Sequence, residues 1–461
     1  MRPIWACLSV SMVLVLEHSP GSASPAYSAP GHEPRVRVGR RVTLERCLTL
    51  AESNFPKVHE AIAKLAHKRA QAREARSAPF SDFKVESFMG VAPTVHGTSV
   101  YSPDSDVALS DSMGLVWQVG LEGVIPLWTF GKLPELWSAA DAQVEVGEGE
   151  IRKQKNELRL NVRRSYYGLQ LARDALALVR EVRRKMDDYI ERLAVRVSQG
   201  EGDDIALVKA RMYSAELEGR ESTIREQETG ALASLRFLTG MGTGLDIPEE
   251  PLQRAQHSLA PLARYLAAAR LYRPEINMAR AGILARQAQV RLEEAKFYPD
   301  VGLGLSAKLS RAPEVTDQRN PFVRDGANYF YYGAGLVLRW KLDLLPKAAR
   351  LAQARAELEE MRATEQYALG GVGVEVQKAF ASAQEAEHRL EAATRAEHYA
   401  KQWLVKVQQG IDIGTLDEEE LVDPAKEYGL KRFARMSATF DYNVAVATLK
   451  MTTGWEHETP R

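Results

Sequence analysis

The sequence predicts a mostly α-helical chain with a transmembrane β portion, built as a duplicated unit of helix, two strands and long helical hairpin. Three observations predict it. Two glycine-marked turns, Gly200–Ala210 and Gly410–Pro424, each lie between very long helical runs and stand roughly 214 residues apart, the mark of a unit written twice. Hydrophobic periodicity switches from about 3.6 to 2 in two stretches of each unit, which reads as strands set into a helical chain. Arg2 precedes an apolar run from Ile4 to Leu16 and the small residues Pro20–Ser24, which predicts a secretory signal peptide over residues 1–23.

Composition excludes several classes. Lysine plus arginine equals aspartate plus glutamate, 61 each in 461 residues, so no nucleic-acid partner is expected. Two cysteines cannot build a disulfide framework or a cysteine metal site, and the nine histidines form no His-x-x-x-His or His-Glu-x-x-His pair. With no nucleophile–base pair and no Gly-rich phosphate loop, neither an enzyme nor a metal or cofactor is expected. Cys47, the one cysteine beyond the signal peptide, reads as a buried residue rather than a reactive thiol. His388 and His398 on a charged helix read as solvated.

A Ser/Ala/Pro/Gly-rich leader is expected over 24–42, followed by the first repeat over 43–240. Thr43 opens a helix whose apolar positions 44, 47, 48 and 51 share one face, and Asn54-Phe-Pro56 interrupts it before an alanine-rich helix runs to Ser77. Alternation at Phe83, Val85, Met89 and Val91, and again at Leu115, Trp117, Val119, Leu121 and Ile125, predicts two strands within 83–126, the second ended by Pro126. A hairpin over 131–240 follows. Its first helix, Lys132 to Ser198, carries apolar or small residues at a step near the coiled-coil value of about 3.5. A connector (241–260) leads to the second repeat (261–453). There, a helix broken at Arg273-Pro274 leads to strands within 301–343 and a hairpin over 346–453, with a tail at 454–461. The fourth strand is expected to set Leu336, Leu338, Trp340 and Leu342 against Val337, Arg339 and Lys341.

Each strand has one apolar face, and no helix has a broad apolar surface to cover it. Lipid supplies the cover if the opposite face lines water. A sheet edge cannot stay unpaired in hydrocarbon, so such strands must close into a barrel of at least about eight. Four strands cannot close, and several copies must share one barrel. Trp117, Trp128, Trp340 and Tyr329–Tyr332 then suit an interfacial aromatic girdle.

The order, spacing and duplication of these elements, with the opening Val42-Thr-Leu-Glu-Arg-Cys-Leu-Thr-Leu-Ala-Glu-Ser-Asn-Phe-Pro56, the return Pro126-Leu-Trp-Thr-Phe-Gly-Lys132 and both glycine turns, resemble the TolC family of outer-membrane channels. The resemblance covers about 43–453. It implies a homotrimer whose twelve strands form one barrel in outer-membrane lipid, continued by a periplasmic α-helical barrel. It implies an exit duct for efflux or type I secretion, joined through a periplasmic adaptor to an inner-membrane transporter. The second strand-to-helix return, Lys341-Leu-Asp-Leu-Leu-Pro-Lys347, and Pro424 depart from the family pattern. The cargo is not specified.

The resemblance makes the turns periplasmic tips. Gly200, Gly202, Asp203, Asp204, Gly410, Gly414 and Thr415 become candidates for adaptor docking, and Glu420 and Asp423 for a carboxylate ring at the aperture. Two readings stand: a charged gate formed by Glu420 and Asp423, or Asp417–Glu420 and Asp423 as caps on a solvated helix N-terminus. Asp203 and Asp204 also read as cap residues. Gln118, Glu122, Lys308, Arg339 and Lys341 are expected on the lumen side of the strands, with Arg339 and Lys341 as a cationic belt. The rival from another class is a secreted or periplasmic coiled-coil structural protein with a small β head, distinguished by remaining a monomer soluble without detergent.

Overall fold

The structure, a computed structural model, describes residues 40–80, 82–96, 108–316 and 322–455. The expected signal peptide, most of the leader and residues 456–461 lie outside the described residues.

A short strand β1 (Arg40–Arg41) leads into α1 (Leu44–Asn54) and α2 (Pro56–Ser77). The break between the helices is local chemistry: Pro56 lacks an N–H and holds Phe55 extended, so a new helix starts with proline in its first turn. Strands β2 (Phe83–His96) and β3 (Ala108–Trp128) follow, then α3 (Lys132–Ser198), α4 (Asp204–Thr239) and the short β4 (Leu245–Asp246), which pairs with β1. The second half repeats this with α5 (Leu262–Tyr272), α6 (Pro274–Ala295), β5 (Asp300–Arg311), β6 (Tyr329–Arg339), α7 (Leu344–Asp412) and α8 (Val422–Thr453). At 67 and 69 residues, α3 and α7 each span roughly 100 Å.

The duplication extends into the cores. One cluster joins Leu158, Val162, Tyr166, Leu169 and Leu235, and a second joins Val372, Val376, Phe380, Ala383 and Leu449. Each member of the second stands about 214 residues after its counterpart. Both hairpins close at the far end on a left-handed glycine, Gly240 and Gly454, each at φ 66°.

The helices form one layer. Around the lower half the packing order is α4, α3, α8, α7; around the upper half it is α2, α3, α6, α7. The sheet runs β2-β3-β5-β6, antiparallel throughout. Both layers are therefore open strips. The first repeat ends one edge with β2, α2 and α4, and the second ends the other with β6 and α7.

Two strand ends differ from expectation. β3 continues past Pro126 to Trp128, because the register slips between them and the proline sits at the irregularity rather than in a regular ladder position. β6 stops at Arg339, so Trp340, Lys341 and Leu342 are not strand. Its last partner is Asp300, and Pro299 before it has no N–H to extend the ladder.

Candidate functional site: the sheet faces and the paired tips

The register gathers the alternation of all four strands onto common faces. Leu121 stands opposite Val85 and Ala307, and Ala307 opposite Tyr332; Leu303 faces Leu336, and Val301 faces Leu338. This face is bare in the single chain, with Val85 70%, Leu336 77% and Tyr332 79% exposed. No helix among the described residues is long and apolar enough to cross a membrane. β6, at 11 residues, matches the length of a tilted membrane strand, about 9–11 residues, and β5, at 12, exceeds it by one.

The opposite face carries the row Glu86–Gly120–Lys308–Tyr331 and, beside it, Lys84–Glu122–Ser306–Gly333. Gln118 lies on it one row further out, next to Phe88 and Ser310. Arg339 shares it but stands opposite Asp300, whose carboxylate accepts from Lys132 Nζ at 2.7 Å. Lys341 lies beyond the strand, 3.9 Å from Asp343. The expected cationic belt is thus a face of mixed charge.

The aromatic girdle is also redistributed. Alternation sends Phe330 and Tyr332 to the apolar face, but Tyr329 and Tyr331 to the polar one. At the helix-side end, Trp128 meets Phe130 edge-on at 6.1 Å, Phe130 stacks on Tyr298 at 5.5 Å, and Trp340 donates to the Phe297 carbonyl. Phe130 adopts a left-handed φ of 51° ahead of Gly131 at 94°, so the sharp strand-to-helix turn holds a strained residue under its aromatic contacts. From Val301, beside Trp128, to Leu309, beside Phe330, is roughly 27 Å along β5, against an apolar band about 25 Å tall in such barrels.

At the other end of the molecule the two tips share one backbone design. Gly200 (φ 81°) and Gly414 (φ 75°) are left-handed. The next residue reaches back five positions: Glu201 N–H donates to Arg196 O at 3.0 Å, and Thr415 N–H to Gly410 O at 2.8 Å. This is the glycine-terminated helix end that satisfies the last free carbonyls. Gly410 therefore lies inside the last turn of α7, not at the start of the turn. The Thr415 hydroxyl adds a bond to the same carbonyl at 2.9 Å.

The exits differ. Asp203 caps α4, accepting from Ile205 N–H at 2.8 Å, and Asp204 sits in the first turn. After Gly414 a 3-10 turn, Glu418–Leu421, precedes α8, and neither Asp417 nor Leu421 makes a side-chain cap bond. Pro424 explains the difference, since without an N–H it cannot bond back to the turn that precedes it.

Ion pairs tie one tip to the other. Glu418 lies 3.3 Å from Arg192 and 3.5 Å from Arg196, and Asp423 lies 3.7 Å from Lys209. Val422 packs on a small core of Tyr189, Leu193, Leu207 and Ala210. The Tyr189 phenol is buried beside Glu419 and Glu418, and its pKa is raised by burial first and by those carboxylates second. Glu420 is exposed and forms no ion pair among the described residues. The sequence marked Glu418 only as one of the cap carboxylates and did not mark Arg192, Arg196, Lys209 or Tyr189. Arg192 and Arg196, one turn apart just above a tip, were the available signal, but nothing local among three successive glutamates says that Glu418 is the one they meet.

Elsewhere, Cys47 is fully buried and its thiol is pushed up to about 11 by that burial. His388 and His398 are exposed.

Comparison with known proteins agrees with this architecture. The model of the outer membrane efflux protein family matches residues 47–241 and 265–454, one segment per repeat. Protein CyaE of Bordetella pertussis is 26% identical over 390 residues, 81% of this chain and 76% of the relative. The fusaric acid resistance protein FusA of Burkholderia cepacia is 24% identical over 271 residues, spanning 58% of this chain and half of its own length. Among solved structures, the open state of the Neisseria gonorrhoeae MtrE outer membrane channel superposes with a TM-score of 0.72 at 17% identity, covering 89% of this chain and 88% of that one. The Vibrio cholerae outer membrane protein VceC gives 0.70 at 18% identity, covering 89% and 96%. With both repeats matched by the family model, the chain belongs to the outer membrane efflux protein family, the outer-membrane channels of the TolC type.

Proposed function

We propose that three copies close their strips into a twelve-strand barrel in outer-membrane lipid, continued by a helical tube across the periplasm. The complex is a passive exit duct, joined at its tips through a periplasmic adaptor to an inner-membrane transporter. One observation carries this reading: a four-strand sheet, apolar on one face and polar on the other, whose edge strands β2 and β6 meet no further strand among the described residues beyond the single bridge at Val95. In lipid those edges cannot stay open, and the mixed-charge face then lines water. Gln118, Glu122, Lys308 and Arg339 are its lumen-facing polar residues. The relative named for fusaric acid resistance supports a small organic cargo.

The tips present Gly200–Asp204 and Gly410–Thr415 at the far end of both hairpins, where an adaptor has access to them. Of the two aperture carboxylates, Glu420 is the freer, because Asp423 lies near Lys209. Neither acts as a side-chain cap in this structure, which favours the gate reading of the ring.

An oligomer that persists in detergent, dissociates on heating and fractionates with the outer membrane is the expected behaviour. A monomer soluble without detergent would overturn the reading. For the gate, single-channel recordings of Glu420→Gln with Asp423→Asn should show reduced cation selectivity and weaker block by multivalent cations; unchanged selectivity would remove the ring.

A further inference from the structure

The stretch Ala312–Thr316 does not leave the sheet outward. Directly after β5 it folds back across the polar face of the neighbouring ribbon. Gly114 marks the crossing: a Cβ there would sit 2.8 Å from the backbone of Glu314 and 2.9 Å from the Val315 side chain. Gly114 pairs with Ala92 in a ladder that stays regular from Gln118, so this Cβ would point to the same face as Gln118, Gly120 and Glu122. The segment then reaches β2, where Val95 N–H donates to the Val315 carbonyl at 2.6 Å. It is an ordered crossing. Ala312 is fully buried and exchanges two bonds with the Asn328 amide, at 2.7 and 3.2 Å. Asp325 in turn holds Asn328, Ala327 and Thr316.

The geometry points to Ala312–Thr316 as a strap that narrows the outer mouth of the duct and sets the largest cargo that can leave. This rests on the polar face being the lumen. Each copy would lay one strap inward at the end of the sheet furthest from the helices, and Gly114 is the residue whose missing side chain lets it lie flat. Cargo larger than the narrowed mouth passes only when the strap lifts.

Thiol labelling from outside intact cells tests the outer mouth without involving the periplasmic tips. Gly120→Cys introduces a thiol three rows below the strap's crossing, at a position where a Cβ meets nothing within 4 Å. Buried Cys47 serves as the unreactive control. A small charged methanethiosulfonate should label Gly120→Cys readily, while a maleimide on a long polyethylene glycol should be slow. Adding Gly114→Leu, or Asp325→Ala as a second way to free the strap, should speed the large reagent by about tenfold or more, since a lifted state is at most about a tenth of the population before mutation. Equal rates for the large reagent with and without these changes, while the small one labels throughout, would overturn the strap. Failure of the small reagent itself would overturn the lumen reading instead.

Discussion

In the first hairpin Arg183 on α3 meets Glu221 on α4 at 3.1 Å; in the second, Glu397 on α7 meets Arg435 on α8. These are the same two positions, about 214 residues apart, with the charges exchanged. Arg173 and Glu387 repeat the theme. Arg173 holds Asp246 of the connector, while its counterpart Glu387 holds Arg254, also of the connector. What the duplicated fold demands at these heights is an opposite-charge pair between neighbouring helices, and either helix can supply either sign. The exchange also imposes order on the layer. The two inner helices, α3 and α8, both carry the arginine of the pair and the two edge helices both carry the glutamate, while the inner helices are joined to each other one turn away by Arg432 and Glu181 at 3.4 Å.

The two pairs are not equally well supported. Glu221 also receives Arg180 and Arg225, whereas the counterparts of those arginines are Thr394 and Thr439. The shorter threonines line an open groove of about 570 Å³ beside Arg435. Backbone and core are thus copied closely between the repeats while polar chemistry is rewritten, and paired substitutions can measure how far the equivalence goes.

The largest effect belongs to the copied cores. Leu235 and Leu449 are both fully buried, and each carbonyl accepts from the hydroxyl of a buried threonine one turn on, Thr239 or Thr453. Leu235→Ala and Leu449→Ala should each cost about 2–5 kcal/mol. The two denaturation midpoints of the detergent-solubilised protein should fall together. A wide gap between them would break the equivalence at its strongest point.

The copied parts were also the legible ones. Gly200 and Gly414 announce turns because glycine alone adopts their φ without strain, and period-2 alternation gave the faces of β2, β3 and β5 because one face must be apolar. The end of β6 was illegible because it depends on Pro299 just before the partner strand. The split of Tyr329–Tyr332 between the two faces follows from register, which composition alone does not weigh. Glu418, and the crossing of Glu314 over Gly114, are long-range juxtapositions with no local signature. Gly114 lies inside β3, one residue before the alternation that begins at Leu115.

A smaller effect separates the tips. In the first, a Cβ on Gly202 would lie 2.8 Å from the Val197 backbone nitrogen; in the second, a Cβ on Gly410 would lie 2.6 Å from the Leu416 side-chain tip. Arg196 and Gly202 correspond to Gly410 and Leu416, so each tip places its glycine on the opposite side of one close approach. Gly202→Ala strikes backbone and should cost about 1–3 kcal/mol. Gly410→Ala strikes a flexible side chain, should cost less, and should be largely rescued by Leu416→Ala, as a double-mutant cycle on unfolding midpoints would show. Equal, unrescued losses would mean that the tips tolerate crowding alike.

The caps come next. Asp203→Ala removes an observed cap bond and should cost about 1 kcal/mol, whereas Asp417→Ala, which removes none, should cost a few tenths. Limited proteolysis at Arg196 and Lys209 would register the first change and miss the second. If Asp417→Ala exposed its tip as much as Asp203→Ala, the 3-10 exit would be held by a carboxylate contact absent from this structure.

The smallest expected effect returns to the exchanged pairs. Arg225 first, then Arg180 and Arg183, hold the Glu221 carboxyl down to about 2, below its ordinary value of 4.5. A depressed carboxyl stabilises the fold above its unfolded pKa and loses that contribution as pH falls through the folded one. The first hairpin should therefore keep its contribution fully above about pH 5 and surrender it between there and about pH 2. Glu221→Gln should flatten the stability profile in that window and leave it unchanged near neutrality relative to its own plateau. Arg183→Glu alone should destabilise by placing like charges together, and Arg183→Glu with Glu221→Arg should recover only part of the loss. The reversed pair would reproduce the polarity of Glu397–Arg435 but crowd its new guanidinium against those of Arg180 and Arg225. In the second hairpin, where threonines replace those two arginines, Glu397→Arg with Arg435→Glu should recover nearly all of it. Equal recovery in both would mean that the extra arginines do not fix the sign of the first pair.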